Sequence, residues 1–337
     1  MELTIKGMLY IENYKRVKEN SEFLPPVGVA FDLTDKCNLK CYWCNAQKFR
    51  SSNMLSFDHV KKVLNMLKGM GVKSVCYAGG GEPTLHPKLP EILDYTHSYG
   101  LECAVSTNGL TLTDKLIDST IQNCKFVGFS VDASKAETWS KTKGLSKQCF
   151  KTVLNNIRRL THKNKNCHVD VTYKLLLTPE NQNEILEACE LAYSLGCTSF
   201  FVRPVVLNWK LDFDVDKVEQ QIRECKKLDS KNFKVYTNFE RVKQEDYSKN
   251  NNFSKCYASA VLPVLCADGY AYLCVDHRQD VNYRLCEHLK LKDYWGGREH
   301  KKLIENVKPA NCPRCTLTIY NRQAEAYFND VFFKNFP

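Results

Sequence analysis

Short apolar runs alternate with longer amphipathic stretches over the first two thirds of the chain. Val27 to Leu33 (VGVAFDL) predicts a buried strand. Ser56 to Gly71 carries apolar residues at helical spacing, with Ser56 and Asp58 as start signals and Gly69 and Gly71 as stop signals. Val72 to Ala78 predicts a second strand. The pattern then repeats: a helix over 86–100, a strand over 101–106, a helix over 113–123 and a strand over 126–131. A basic amphipathic helix follows over 147–163, then a strand over 168–177, a helix over 179–195 and a strand over 199–205. Six β/α units in this order predict a parallel sheet with helices outside it. Periodicity leaves two architectures open, a partial barrel and an open doubly wound sheet.

The ends read differently. Residues 1–26 form a lead-in closed by Pro25-Pro26. After the sixth strand, Leu211 to Asp229 reads as a charged amphipathic helix that leaves the sheet, and residues 241–255 read as a polar linker. Val264 to Val275 predicts a hairpin that turns at Ala267-Asp268-Gly269. Residues 256–320 are expected to form a small unit of their own. Residues 321–337 are expected to form a terminal helix whose aromatic side chains serve packing.

The chain has 337 residues, 43% of them hydrophobic, enough for one large domain or one domain with a smaller one. No run approaches the ~20 apolar residues of a membrane span. The first residues lack the apolar core of a signal peptide, so the expected location is the cytoplasm. The formal charge of +10 suits an acidic or nucleotide-linked substrate, but a lysine-rich solvated surface is the more ordinary reading. There is no arginine-rich tract or nucleic-acid module, so neither a nucleic acid nor a membrane is an expected partner. Seventeen cysteines without a secretion signal read as metal ligands or buried thiols.

Three of those thiols, Cys37, Cys41 and Cys44, follow the first strand in a CxxxCxxC loop. Three thiolates hold three corners of a cubic iron–sulfur cluster and leave one iron open. Zinc is the ordinary alternative, yet no fourth Cys or His follows at short spacing. Gly79 to Pro83 (GGGEP) follows the second strand, where backbone approaches a ligand closely and Glu82 can face an ammonium group. In parallel α/β folds ligands collect at the C-terminal ends of strands. The polar residues there are Ser106, Thr107, Asn108, Ser130, Asp132, Lys174 and Arg203. Asn108 alternatively caps its turn. Lys174, in an apolar strand, needs an anionic partner, either a ligand carboxylate or Asp132. Arg203 suits a substrate oxygen or a structural ion pair.

A second set closes the chain. Cys256, Cys274, Cys312 and Cys315 supply four thiolates, with Cys266 and Cys286 as substitutes. Such a set suits an all-protein iron–sulfur cluster or a structural zinc. The remaining cysteines read mostly as small buried hydrophobes.

The CxxxCxxC loop with Trp43 before its last Cys, the GGGEP run, and the STNG and SVDA segments together resemble the radical S-adenosylmethionine (radical SAM) superfamily. The second cysteine set resembles its C-terminal extensions of the SPASM and shorter "twitch" types. No Cys follows Cys315, which fits the twitch form with one auxiliary cluster. The resemblance implies a partial (β/α)6 TIM-like barrel over 27–240. It implies a [4Fe-4S] cluster on Cys37, Cys41 and Cys44, with S-adenosylmethionine on the open iron. Trp43 would lie near the adenine, and Gly80, Gly81 and Glu82 would hold the methionyl amino group. Ser106, Asn108, Ser130 and Lys174 would be further S-adenosylmethionine contacts. An auxiliary [4Fe-4S] cluster would sit on Cys256, Cys274, Cys312 and Cys315.

By the same resemblance, reductive cleavage of S-adenosylmethionine gives a 5′-deoxyadenosyl radical that removes a substrate hydrogen. The leading expectation is two-electron oxidation of a carbinol in a sugar, aminocyclitol or nucleotide-linked small molecule, with the auxiliary cluster accepting an electron. Arg203 and Asp132 are the candidate catalytic residues, with Asp276 and His277 as further candidate bases. The alternative is thioether formation, crosslinking or epimerisation in a ribosomally made peptide. Activation of a glycyl-radical enzyme and a purely metal-binding module complete the set. A flavodoxin- or ferredoxin-type protein would supply the electron.

Overall fold

The β-branched and aromatic runs of the sequence become one continuous sheet. The computed structural model describes residues 7–165, 168–205, 213–238, 253–312 and 315–329. Strands β1 (Gly28–Phe31), β2 (Ser74–Tyr77), β3 (Glu102–Thr107), β4 (Cys124–Ser130), β5 (Asp170–Leu177) and β6 (Ser199–Pro204) are all parallel and lie in chain order. The helices between them cover the sheet: α2 (Phe57–Met70), α3 (Leu89–Ser98), α4 (Asp114–Asn123), α6 (Lys147–Lys163) and α7 (Ile185–Ser194). The fold is the partial TIM-like barrel.

Local chemistry explains the boundaries. The Ser56 hydroxyl accepts from His59 N–H and so caps α2, while Thr113 does the same for α4 through Leu116 N–H. Helix α6 buries Phe150, Val153, Ile157 and Leu160 on one stripe and leaves its basic residues outside.

The structure corrects the sequence reading at three places. A short helix, α5 (Ala136–Lys143), precedes α6. Helix α8 (Val215–Lys226) does not leave the sheet; it leads into β7 (Lys234–Thr237), a seventh parallel strand beside β6. Its buried face of Val218, Ile222 and Cys225 packs on the core, which its charge had masked. The predicted helix over 179–195 begins only at Ile185, because Asn181 ties the preceding turn to the carbonyls of Asp132 and Leu176. Leu211, Asp212, Cys167, most of the 241–255 linker and the end of the terminal helix lie outside the described residues.

The hairpin forms as β8 (Val264–Leu265) and β9 (Tyr270–Tyr272). It belongs to the same sheet, since β8 pairs in parallel with β1 on the edge away from β2. A further strand, β10 (Arg284–Glu287), pairs antiparallel with β9. Helices α9 (Leu291–Tyr294) and α10 (Arg298–Asn306) follow, and α11 (Thr318–Asn329) closes the described chain. The lead-in is structured too: helix α1 (Ile11–Lys18) buries Tyr14 and Val17, with the Tyr14 ring against Tyr257. No helix among the described residues is long and apolar enough to cross a membrane.

Candidate functional site

The C-terminal ends of β1 to β6 converge on one cavity of about 250 Å³. Cys37, Cys41, Cys44 and Trp43 line it from the loop after β1, and Gly80, Gly81 and Glu82 from the loop after β2. Ser106, Asn108, Ser130, Asp132, Lys174 and Arg203 line it from the next four strands. All the residues singled out at the ends of the first six strands therefore meet in one place.

The loops are fitted to each other by backbone contact. A Cβ on Gly81 would lie 2.1 Å from the Lys36 carbonyl oxygen and 2.6 Å from that of Thr34. Only glycine lets the β2 loop lie this close to the segment leading into Cys37. Glu82 N–H donates to the Lys36 carbonyl at 2.8 Å and fixes the same approach. The Glu82 carboxylate is buried and accepts from Thr84 N–H and Oγ1, Thr107 Oγ1 and Asn108 N–H. Burial pushes its pKa up, while those hydrogen bonds pull it down. Three of the four bonds go to Oε1, so Oε2 keeps accepting capacity. Asn108 caps its turn through Leu110 N–H and also donates to Asn38 Oδ1, inside the cysteine loop.

Lys174 and Asp132 are not partners. The Lys174 ammonium donates to Ser106 Oγ at 2.9 Å and lies over the Phe126 ring. Burial is the first cause that lowers its pKa, to about 8. Gly128 makes room for it, since a Cβ there would lie 2.2 Å from Lys174 Cε. Asp132, at φ 64, instead pairs with the buried ammonium of Lys143 at the end of α5 and accepts from Leu176 N–H at 2.7 Å. Lys143 also donates to the Ser130 carbonyl and faces the Trp43 ring, while its own carbonyl accepts from Lys40 N–H. A buried ion pair thus supports the cysteine loop from below. A lysine at a helix end ordinarily reads as solvated, so no sequence signal pointed to Lys143.

The second thiol set also assembles. Asn321 Nδ2 lies 3.9 Å from Cys256 Sγ and 4.0 Å from Cys315 Sγ. Cys274 lies within electrostatic reach of Cys256 and Cys315, and Cys312 within reach of Cys256. Cys266 stands apart, facing Asp32, and Cys286 lies on β10 near Glu287 and Lys290. The two substitutes thus fall outside the group.

Burial raises the Cys41 pKa to about 11, that of Cys312 to about 11 and that of Cys315 to about 12, and it raises Cys37 and Cys274 as well. A bound cation reverses this penalty and deprotonates a coordinating thiol outright. Among the described residues no three Cys, His, Asp or Glu side chains converge closely enough for a single metal ion.

Residues 31–192 match the family model of the Radical SAM superfamily. The antilisterial bacteriocin subtilosin biosynthesis protein AlbA of Bacillus subtilis (strain 168) is 29% identical over 197 residues, covering 58% of this chain and 42% of that protein. The AdoMet-dependent heme synthase of Methanosarcina barkeri (strain Fusaro / DSM 804) is 28% identical over 180 residues, covering 52% of this chain and 50% of that protein. The chain thus spans half the length or less of these curated relatives. Among solved structures, Streptococcus suis SuiB bound to S-adenosylmethionine superposes with a TM-score of 0.70 at 14% identity, over 93% of this chain and 76% of that one. SuiB bound to its precursor peptide SuiA gives 0.69 at 13% identity, over 89% and 71%. At these identities the likeness is one of fold.

Proposed function

This chain belongs to the radical SAM superfamily, with its domain over residues 31–192, and on that premise we propose that it modifies a ribosomally made peptide by radical chemistry. The observation that carries the reading of the site is the convergence of three thiols, the GGGEP backbone and the half-buried Lys174 on one cavity. When bound there, the cluster and S-adenosylmethionine supply the 5′-deoxyadenosyl radical that removes a hydrogen from the substrate.

The chain's own residues have distinct tasks in this reading. Cys37, Cys41 and Cys44 hold the cluster. Glu82 Oε2 and the backbone of Gly80 and Gly81 receive the methionyl ammonium. Lys174, held by Ser106, answers the methionyl carboxylate. Trp43 forms a wall toward the adenine, and Ser130 and Asn108 complete the lining. Asp132 positions Lys143 and Leu176. Cys256, Cys274, Cys312 and Cys315 hold one auxiliary cluster.

The peptide reading draws support from two proteins, a bacteriocin biosynthesis protein by name and one solved with its precursor peptide. It also draws support from the candidate bases that a carbinol oxidation requires. Asp132 is bound in an ion pair, and Asp276 accepts from Thr316 N–H and Oγ1. The His277 ring stacks on Tyr283 at 3.6 Å and pairs with Asp280 through Nδ1, and neither it nor Asp276 lines the cavity. Arg203 carries a guanidinium, which stays protonated.

The test is anaerobic incubation of the reconstituted protein with reductant, S-adenosylmethionine and candidate precursor peptides. The expected result is 5′-deoxyadenosine release together with loss of two hydrogens from the peptide, or deuterium uptake from solvent on epimerisation. Release stimulated by polyols, with every peptide unchanged, would return carbinol oxidation to the front.

A further inference from the structure

Arg50 lies outside every motif in the chain, yet its guanidinium enters the site. It follows the short 3-10 turn Asn45–Phe49 that begins just after Cys44. Its Nη1 donates to the Gly80 carbonyl at 2.8 Å and to the Asp35 carbonyl at 3.2 Å. Its Nη2 points to the Cys44 sulfur at 3.5 Å. One side chain therefore touches the last thiol of the cysteine loop, the segment before that loop and the glycine loop. It lines both the main cavity and an adjoining groove of about 500 Å³. Among the described residues no carboxylate pairs with it; its acceptors are two carbonyls and one sulfur.

The residue type matters. A planar guanidinium serves several acceptors in fixed directions, whereas a lysine is a point charge on a flexible stem. The guanidinium also stays charged at any working pH. The reduction potential of an iron–sulfur cluster responds to hydrogen bonds on its sulfurs and to net charge nearby. A fixed cation beside a ligating sulfur favours the reduced, more negative cluster.

We propose that Arg50 is a positioning residue for the cluster on Cys37, Cys41 and Cys44: it clamps the Cys44 sulfur to the Gly80 carbonyl and raises the cluster's reduction potential. This rests on the reading above that Cys44 is a cluster ligand. The clamp has two separable parts. The charge sets the potential. The fork sets where the glycine loop stands relative to the cluster, and so governs S-adenosylmethionine binding.

The experiment is an EPR-monitored redox titration of the cluster signal that responds to S-adenosylmethionine, with binding measured alongside, in the wild type, Arg50→Met and Arg50→Lys. Arg50→Met is expected to titrate at a lower potential and to bind S-adenosylmethionine about tenfold more weakly, as loss of charged hydrogen bonds dictates. Arg50→Lys is expected to keep most of the midpoint and to lose affinity. An unchanged midpoint in a loaded Arg50→Met protein overturns the proposal. A wild type with no S-adenosylmethionine-responsive signal overturns the assignment of Cys44, and the proposal falls with it. Where Arg50→Met takes up no cluster, Arg50→Gln keeps donors without the charge and carries the same comparison. Loss of the cluster in Arg50→Met and Arg50→Gln with retention in Arg50→Lys supports the part played by the charge, while loss in all three assigns Arg50 to folding alone and overturns the proposal.

Discussion

Arg278 Nε donates to Asp32 Oδ2 at 2.6 Å, and both side chains are buried. The pair joins the segment that follows Cys274 to the residue that follows β1. Gln279, at φ 55, continues the link by donating to Asp35 Oδ1 at 2.8 Å. Asp35 in turn accepts from Ser51 and Asn53, beyond the cysteine loop. The two thiol sets are thus braced by one polar network. Removing one partner strands a buried charge, so Arg278→Met is expected to lower unfolding stability by about 3–5 kcal/mol. The double variant with Asp32→Leu should recover part of that loss. Denaturant unfolding checks both, and a single-variant loss below about 0.5 kcal/mol would place the pair among surface contacts.

Lys174 is expected to link pH to ligand binding. Its pKa in the folded protein is about 8, lowered from 10.5 first of all by burial. Below that value the ammonium is charged in both folded and unfolded chains, and its burial costs stability. As pH rises from about 8 toward 10.5 the folded chain loses the proton first and the cost disappears. Affinity for S-adenosylmethionine should run the other way, falling about tenfold per pH unit above about 8 as the charge is lost. Lys174→Met should bind weakly with this component of the pH profile absent, and should be more stable than wild type near pH 7 by up to about 3 kcal/mol. Calorimetric titration at a series of pH values reads the first, and denaturant midpoints read the second.

Gly81→Ala should be far worse than its size suggests. The new Cβ would meet the Lys36 and Thr34 carbonyl oxygens at 2.1 and 2.6 Å, and backbone yields little. The glycine loop must then back away from the cysteine loop. S-adenosylmethionine binding is expected to fall by at least about a hundredfold, from a cost of about 3 kcal/mol. Gly69→Ala, where a Cβ meets nothing within 4 Å, is the control and should leave binding unchanged.

Asn321 serves the second thiol set. Its Nδ2 faces the Cys256 and Cys315 sulfurs, while its Oδ1 accepts from Ala258 N–H at 2.8 Å. Groups hydrogen-bonded to metal ligands are worth about 10–100-fold in metal affinity. Asn321→Leu should therefore shed iron from the second set under mild chelation while the first set stays loaded. Equal loss from both sets would contradict the assignment.

Much of this was legible in the sequence because local and tertiary signals agree. Helix α6 appears at its predicted ends because its apolar stripe is continuous. The parallel strands follow the apolar runs, and the polar residues at their ends do meet in one cavity. The failures have a common cause. Strand β7 is four residues long and follows a helix whose charge looks solvated, so only its pairing with β6 defines it. Helix α5 mixes Thr, Ser and Lys with one buried Trp139, a pattern no periodicity reveals. Lys174 on β5 and Asp132 just past the end of β4 invite pairing, but the left-handed turn at Asp132 aims its carboxylate at Lys143 instead. Arg50, Arg278 and Asn321 belong to no spacing rule. Their roles come from long-range contacts that a linear pattern does not encode.

Cys37, Cys41 and Cys44 are assigned to one cluster and the four later thiols to another. Iron and acid-labile sulfide, measured anaerobically in wild type and in the Cys37/Cys41/Cys44→Ala variant, test this assignment most directly. Two cubic clusters predict ~8 irons per chain, falling to ~4 in the variant. A wild-type value of ~4 that falls to none would contradict the auxiliary cluster and leave zinc or nothing on the second set. An iron content that the triple substitution does not change would contradict the assignment of the first loop itself.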